Sequence, residues 1–376
     1  MSITPFSVNI PQGALDDLHA RLANTRWPPR ETVDDWSQGV PLARMRALCD
    51  HWRDGYDWCA CEAKLNAYPQ FRTNIDGLGI HFIHVRSPRA DALPLILTHG
   101  WPGSVIEFLN VIGPLADPEA HGAPGAPAFH VVAPSLPGYG FSDAPSTTGW
   151  GVEKIANAWI TLMRRLGYNR FVAQGGDWGA AVTTAIAMAA PPECAAIHLN
   201  MPLVFPEEGD FADLTPAEQA TVASMQFYQD HDAGYAKLQG TRPQTVGYAL
   251  ADSPVGQAAW IYEKLYAWTD NDGTPESTLG ISTVLDLITI YWLNNSGASS
   301  GRLYWESANA FRGQRLELPV GVSIFPKEIF RPSRRWAERS YPKLIHWNET
   351  AKGGHFAACE QPELFVSELQ TCFGKL

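Results

Sequence analysis

Charge is scarce in this chain, and what there is leans negative. Only 18% of the 376 residues are charged, with 28 Lys+Arg against 39 Asp+Glu for a formal net charge of −11. Such a balance argues against nucleic acid or an anionic membrane as a partner and favours a neutral or apolar small molecule. No uninterrupted apolar run approaches the ~20 residues that span a bilayer, and the opening residues, Met1 to Pro11, lack a basic-then-apolar signal. The expectation is a soluble, cytoplasmic protein. Cysteine is sparse too: Cys49, Cys59, Cys61, Cys194, Cys359 and Cys372 have no disulfide-framework spacing, and nothing is placed to complete a zinc site with Cys59 and Cys61. Reduced, structural thiols are expected, and no metal.

What the chain has in quantity is apolar and aromatic side chains. At 45% hydrophobic it can bury a large core, and its length suits one catalytic domain with additions. Residues 1 to about 70 mix helical patterns with Trp27, Pro28, Pro29, Trp36, Trp52 and Trp58, as in an extension packed around something else. Next, FRTNIDGLGIHFIHVRS alternates about Asp76-Gly77, a hairpin on which His81 and His84 face opposite sides and make poor metal partners. Apolar strands then alternate with helices: Leu93 to Thr98, the HVVAPS run, and the strand before Asp177 preceded by a helix over Val152 to Leu166. That alternation predicts a mostly parallel sheet covered on both faces, with ligands beyond the carboxyl ends of the strands. After AAIHLN the chain from about Pro206 to Arg315 reads as helices rich in aromatics, a lid over an apolar pocket, before strands resume at LPVGVSIFPKE and KLIHW. The expected division is an N-terminal extension over 1–90, core over 91–205 and 316–376, and a helical lid over 206–315.

The stretch FVAQGGDWGA is the centre of this plan. A short strand, a glycine pair and an alanine-rich helix form a tight turn with Asp177 at its apex, where a serine esterase would read Gly-x-Ser-x-Gly. The carboxylate is then a nucleophile. The alternative is an Asp that merely caps the next helix. Further on, Glu328 in FPKE and His355 in GGHF each follow a sheet strand, so Asp177, Glu328 and His355 stand in the nucleophile, acid, histidine order of an α/β-hydrolase.

These residues resemble the epoxide hydrolases of the microsomal type. The likeness runs through RLANTRWP, HGWPGSVIEF, PSLPGYGFSD, GGDWGA, DSPVG, FPKE and GGHFAACEQPE, nearly the whole chain. The resemblance implies an α/β-hydrolase fold and an enzyme that converts an apolar epoxide and water to a vicinal diol through an alkyl ester on Asp177. In that scheme His355 activates water, Glu328 orients it, and the backbone N–H groups of Trp101 and Trp178 form the oxyanion hole. Tyr235 and Tyr304 hold the epoxide oxygen, with Tyr291 the replacement for Tyr304, while Trp101, Pro102 and Trp178 contribute to substrate binding. Neither metal nor organic cofactor is required, a homodimer is left open, and the membrane-spanning N-terminus of mammalian members has no counterpart here. Two alternatives remain: a haloalkane dehalogenase with the same Asp nucleophile, and a non-catalytic protein that kept the pocket.

Overall fold

The computed structural model describes residues 2–376. Among them nine strands form one sheet: β1 (Ile3–Phe6), β2 (Gln70–Ile75), β3 (Leu78–Val85), β4 (Leu93–Thr98), β5 (Phe129–Pro134), β6 (Phe171–Gly175), β7 (Cys194–Leu199), β8 (Val320–Ile324) and β9 (Leu344–Glu349). Their spatial order is β1-β2-β3-β5-β4-β6-β7-β8-β9. From β5 to β9 every pairing is parallel, and β1, β2 and β3 add an antiparallel edge. The parallel strands read as apolar runs because helices cover both faces; all five residues of β6 and of β8 are buried.

The β2–β3 hairpin turns at Asp76 and Gly77, both with positive φ (51° and 87°), the backbone that matches the strands' own twist. His81 and His84 are both buried in β3, the first bonded to Ser135 and Gln70, the second to Tyr168. One strand escapes a reading of residues 1 to 70 as helical: β1, four residues long, pairs Pro5 with Phe71. It is too short for a period to register, and its proline is tolerated because it lies on the edge. The helix expected over Val152 to Leu166 ends at Arg165.

The N-terminal helices Gln12–Ala23, Leu42–Asp54 and Trp58–Asn66 bury Trp52 and Trp58. They also reach the helices inserted between β7 and β8. Trp36 stacks on Tyr266 at 3.7 Å, and Arg21 donates to the carbonyl of Asp252 at 2.8 Å. That insertion runs through Pro216–Phe227, Gly234–Thr241, Pro243–Asp252, Pro254–Trp268, Ile281–Leu293 and Ser296–Glu306, and it covers the carboxyl end of the sheet. Among the described residues no helix is long and apolar enough to cross a membrane.

Candidate active site

The tight turn after β6 is strained where the chemistry would be. Asp177 has φ 51° and ψ −128°, and its side chain caps nothing, so the helix-cap alternative is set aside. A non-glycine residue held there costs ~1–3 kcal/mol, which the surrounding fold must offset. Close approach explains the flanking glycines. A Cβ at Gly175 would sit 2.1 Å from the carbonyl oxygen of Gly179, and one at Gly179 would sit 1.9 Å from that of Thr98. Strand and helix therefore cross at backbone contact, and the apex side chain is pushed out beyond the sheet.

Three loops at the carboxyl ends of β4, β8 and β9 meet Asp177. From the first, the Trp101 N–H donates to Asp177 Oδ1 at 2.8 Å. The Trp178 N–H, at the first position of the helix Trp178–Ala189, makes no such bond, although it shares the positive end of the helix dipole with the carboxylate. From the second and third, Glu328 Oε1 lies 2.6 Å from His355 Nδ1, and His355 Nε2 lies 3.4 Å from Asp177 Oδ2. The two loops are tied together by the Lys327 N–H, which donates to the Gly353 carbonyl at 3.1 Å, and the His355 N–H donates to the carbonyl of Trp268 at 2.9 Å. With a carboxylate this close, Nδ1 is assigned the proton. Burial alone would lower the pKa of His355, but the charge of Glu328 and hydrogen bonds to Asp177 and Glu328 hold it well above its ordinary value.

Above the carboxylate lies a cavity of about 500 Å³. It is lined by Asp177, Trp178, Tyr228, Tyr235, Tyr304 and Phe311 among mostly apolar neighbours. Tyr235 comes from the helix Gly234–Thr241 and Tyr304 from Ser296–Glu306, so two separate lid helices bring their rings to 5.8 Å. Trp101 stacks on Tyr235 at 4.7 Å, and Trp178 meets Tyr304 edge-on at 4.7 Å. Burial raises both phenols well above 10 and so keeps them protonated. Among the described residues the Tyr304 hydroxyl has no hydrogen-bond partner, although it is buried. Tyr291 differs: its hydroxyl donates to the Gly103 carbonyl at 2.8 Å and is not free for a ligand. Pro102, joined to Trp101 by a cis peptide bond, is buried but lines neither this cavity nor the smaller one described next.

Behind Asp177 a second cavity of about 20 Å³ is bounded by Gly100, Trp101, Glu107, Asp177 and His355. A single water needs about 10–15 Å³ by this measure, so the space suits one. Burial pushes the Glu107 carboxyl up to about 8, against the pull of His355 and of the Ser104 N–H. Glu107 also closes a helix capping box with Ser104. Two further residues escaped the sequence. Tyr228 places its hydroxyl 3.0 Å from that of Tyr235. Lys264, buried in the helix Pro254–Trp268, pairs with Asp232 at 2.5 Å and lies 4.7 Å above the Tyr235 ring. Among the described residues no cluster of three or more His, Cys, Asp or Glu could hold a metal.

The chain is similar to known proteins over its full length. The family profile "Epoxide hydrolase N terminus" matches residues 3–108, and "alpha/beta hydrolase fold" matches 94–245. A putative epoxide hydrolase of Stigmatella aurantiaca is 60% identical, with 100% of this chain and 85% of the relative covered. Epoxide hydrolase 1 of Sus scrofa is 36% identical over 100% of this chain and 89% of its own. Among solved structures, the epoxide hydrolase of Aspergillus niger superposes with a TM-score of 0.89 at 32% identity, covering 100% of this chain and 97% of that one. The juvenile hormone epoxide hydrolase of the silkworm Bombyx mori gives 0.90 at 30% identity, covering 100% and 94%.

Proposed function

Because the chain belongs to the epoxide hydrolase family and is a hydrolase acting on epoxides, we propose that it opens an apolar epoxide through a covalent ester on Asp177 and releases a vicinal diol. The observation that carries this reading is the placement of Asp177 between two cavities, a large apolar one with two phenols and a water-sized one with His355.

Two half-steps follow from that placement. In the first, an ionised Asp177 oxygen attacks an epoxide carbon while Tyr235 and Tyr304 donate hydrogen bonds to the leaving oxygen; a phenol stays protonated at neutral pH and can still give up a proton to an alkoxide. Ring strain supplies the electrophile, and a pocket lined by Met201, Leu203, Phe205 and Phe311 suits an apolar substituent. In the second, water in the small cavity attacks the ester carbonyl, His355 Nε2 takes its proton, and Glu328 stabilises the imidazolium. The Trp101 N–H already donates to the carboxyl group, which supports an oxyanion role for it, and the Trp178 N–H, at the start of the following helix, would share the charge that develops on the oxygen.

Only the second step needs His355 as a neutral base, and the ester itself provides the switch. While Asp177 is charged it helps hold the imidazole protonated, which does not impede alkylation. Once Asp177 is esterified that charge is gone, the pKa of His355 falls, and the neutral base is available. Replacing His355 with Gln tests the scheme: incubated with styrene oxide, His355→Gln is expected to gain the mass of one epoxide on the peptide containing Asp177 and to release almost no diol. An unmodified protein under those conditions contradicts it. The haloalkane alternative is tested separately, by halide release when the unaltered enzyme is given a haloalkane.

A further inference from the structure

The cavity holds a third phenol that the two-tyrosine scheme does not use. At Tyr228–Asp232 the lid winds one residue wider than an α-helix, with the Ala233 N–H donating to the Tyr228 carbonyl at 2.8 Å. Seven residues along an unbroken helix would put Tyr228 and Tyr235 ~10.5 Å apart along the axis. The wide turn and the new helix after it instead bring the two hydroxyls to 3.0 Å. Tyr235 is buried at 6% exposure, whereas Tyr228 is only partly buried, and both line the cavity of about 500 Å³.

We propose that Tyr228 is the outer member of a two-phenol proton relay, donating to the Tyr235 hydroxyl so that the Tyr235 proton is directed at the epoxide oxygen. This rests on the reading of Tyr235 as a donor to that oxygen. A hydroxyl has one hydrogen; if Tyr235 spent it on Tyr228, it would have none for the substrate. Both phenols stay protonated at neutral pH, so each has a proton to donate. Burial pushes Tyr228 up to about 12, with the hydrogen bond to Tyr235 pulling down and the charges of Asp177 and Asp232 pushing up, while Tyr235 lies well above 10 with burial as its largest cause and Tyr304, Tyr228 and Asp177 adding to it. A donor chain strengthens each link.

The step balances. As the C–O bond breaks, its electron pair stays on oxygen, which takes the Tyr235 proton; Tyr235 takes the Tyr228 proton; and Tyr228 regains one from water. The negative charge that Asp177 brought to the attack thus leaves through Tyr228 as hydroxide. Nearby charges are partly balanced: Lys264 pairs with Asp232 at 2.5 Å and with Glu263 at 2.9 Å, the Trp268 indole N–H donates to Asp232 at 2.6 Å, and the Lys264 ammonium faces the Tyr235 ring. Asp177, which lines the same cavity with Lys237, loses its charge as the ester forms.

The test compares Tyr228→Phe, Tyr235→Phe and the unaltered enzyme in single turnovers with styrene oxide, following ester formation and ester loss by rapid-quench mass measurement in mixtures of light and heavy water. Tyr228→Phe is expected to slow ester formation by about 10-fold, a fraction of what a positioned acid gives, to leave ester loss unchanged, and to turn a bowed proton inventory into a linear one. If Tyr228→Phe forms the ester at the unaltered rate, or slows both half-steps alike, the relay is overturned. If Tyr235→Phe also forms the ester at the unaltered rate, the reading beneath it fails as well.

Discussion

Two histidine–glutamate pairs are buried in this molecule, and only one of them borders the cavities beside Asp177. His355 and Glu328 meet at 2.6 Å, His346 and Glu368 at 2.8 Å. The difference lies in the remaining atoms. Glu368 is saturated: Oε2 also accepts from Ser323 at 2.5 Å and Oε1 from Asn348 at 2.7 Å, which pins the helix Pro362–Phe373 across β8 and β9. Glu328 keeps one oxygen, Oε2, buried with no partner. Among the described residues His346 has no second carboxylate in reach, while His355 turns its other nitrogen toward Asp177 and the water-sized cavity. A carboxylate beside an imidazole is therefore a common way to bury both; what makes a site is an imidazole nitrogen left facing space and an electrophile.

The comparison is broken most severely by exchanging the histidines. His355→Gln is expected to lower diol release by about 10⁴-fold or more, the scale of losing a general base from a triad, whereas His346→Gln is expected to stay within about 3-fold of the unaltered enzyme, since it removes only a structural contact. Steady-state assay of both variants decides it, and equal losses would erase the distinction. Next in size is the exchange of the acids. Glu328→Gln is expected to slow ester hydrolysis by about 10²- to 10⁴-fold through loss of the charge that orients and stabilises the imidazolium, with ester formation little changed; Glu368→Gln should alter neither half-step. Single-turnover kinetics of the two separates them.

How much of this was legible in the sequence depends on whether a residue's role is set by its neighbours in the chain or across the fold. Asp177, Glu328 and His355 each stand just after a strand in a loop with its own signature, so strand alternation and loop chemistry place them at the same end of the sheet. Tyr235 and Tyr304 carry no such local mark; their resemblance to known family positions named them, and packing of separate lid helices brings them together. Tyr228 was visible only as one aromatic among many, because the wide turn that aims it has no sequence period. Pro102 was expected to touch substrate from its motif alone, yet it lines neither cavity. The His346–Glu368 pair was equally invisible, since its register depends on a helix docking over two strands.

The pH responses sharpen the contrast further, with smaller effects. For His355, two carboxylates hold the resting imidazole protonated well above pH 6.5. Esterification removes the contribution of Asp177, so ester hydrolysis is expected to rise with a midpoint below the pH at which His355 titrates in the resting enzyme, read by single-turnover rates beside an NMR titration; coincident midpoints would contradict the switch. For Glu368, burial pushes the carboxyl up, but bonds from His346, Ser323 and Asn348 outweigh it and bring it down to about 2. A pKa lowered by folding gives stability that is present above the unfolded value of ~4.3 and lost as pH falls toward 2. The stability gap between the unaltered protein and Glu368→Gln in denaturant titrations is therefore expected to be full at pH 6 and to close between about pH 4.5 and 2. A gap independent of pH would mean that the carboxylate charge plays no part there.

The covalent ester on Asp177 is tested most directly by following oxygen. In a single turnover of the unaltered enzyme in heavy-oxygen water, water that attacks the ester carbonyl deposits its oxygen in the carboxylate, and the diol leaves with an unlabelled oxygen taken from Asp177. The expected result is label in the peptide containing Asp177 and none in the first-turnover diol. Label in that diol, with an unlabelled Asp177, would mean that water attacks the epoxide itself and that no ester forms.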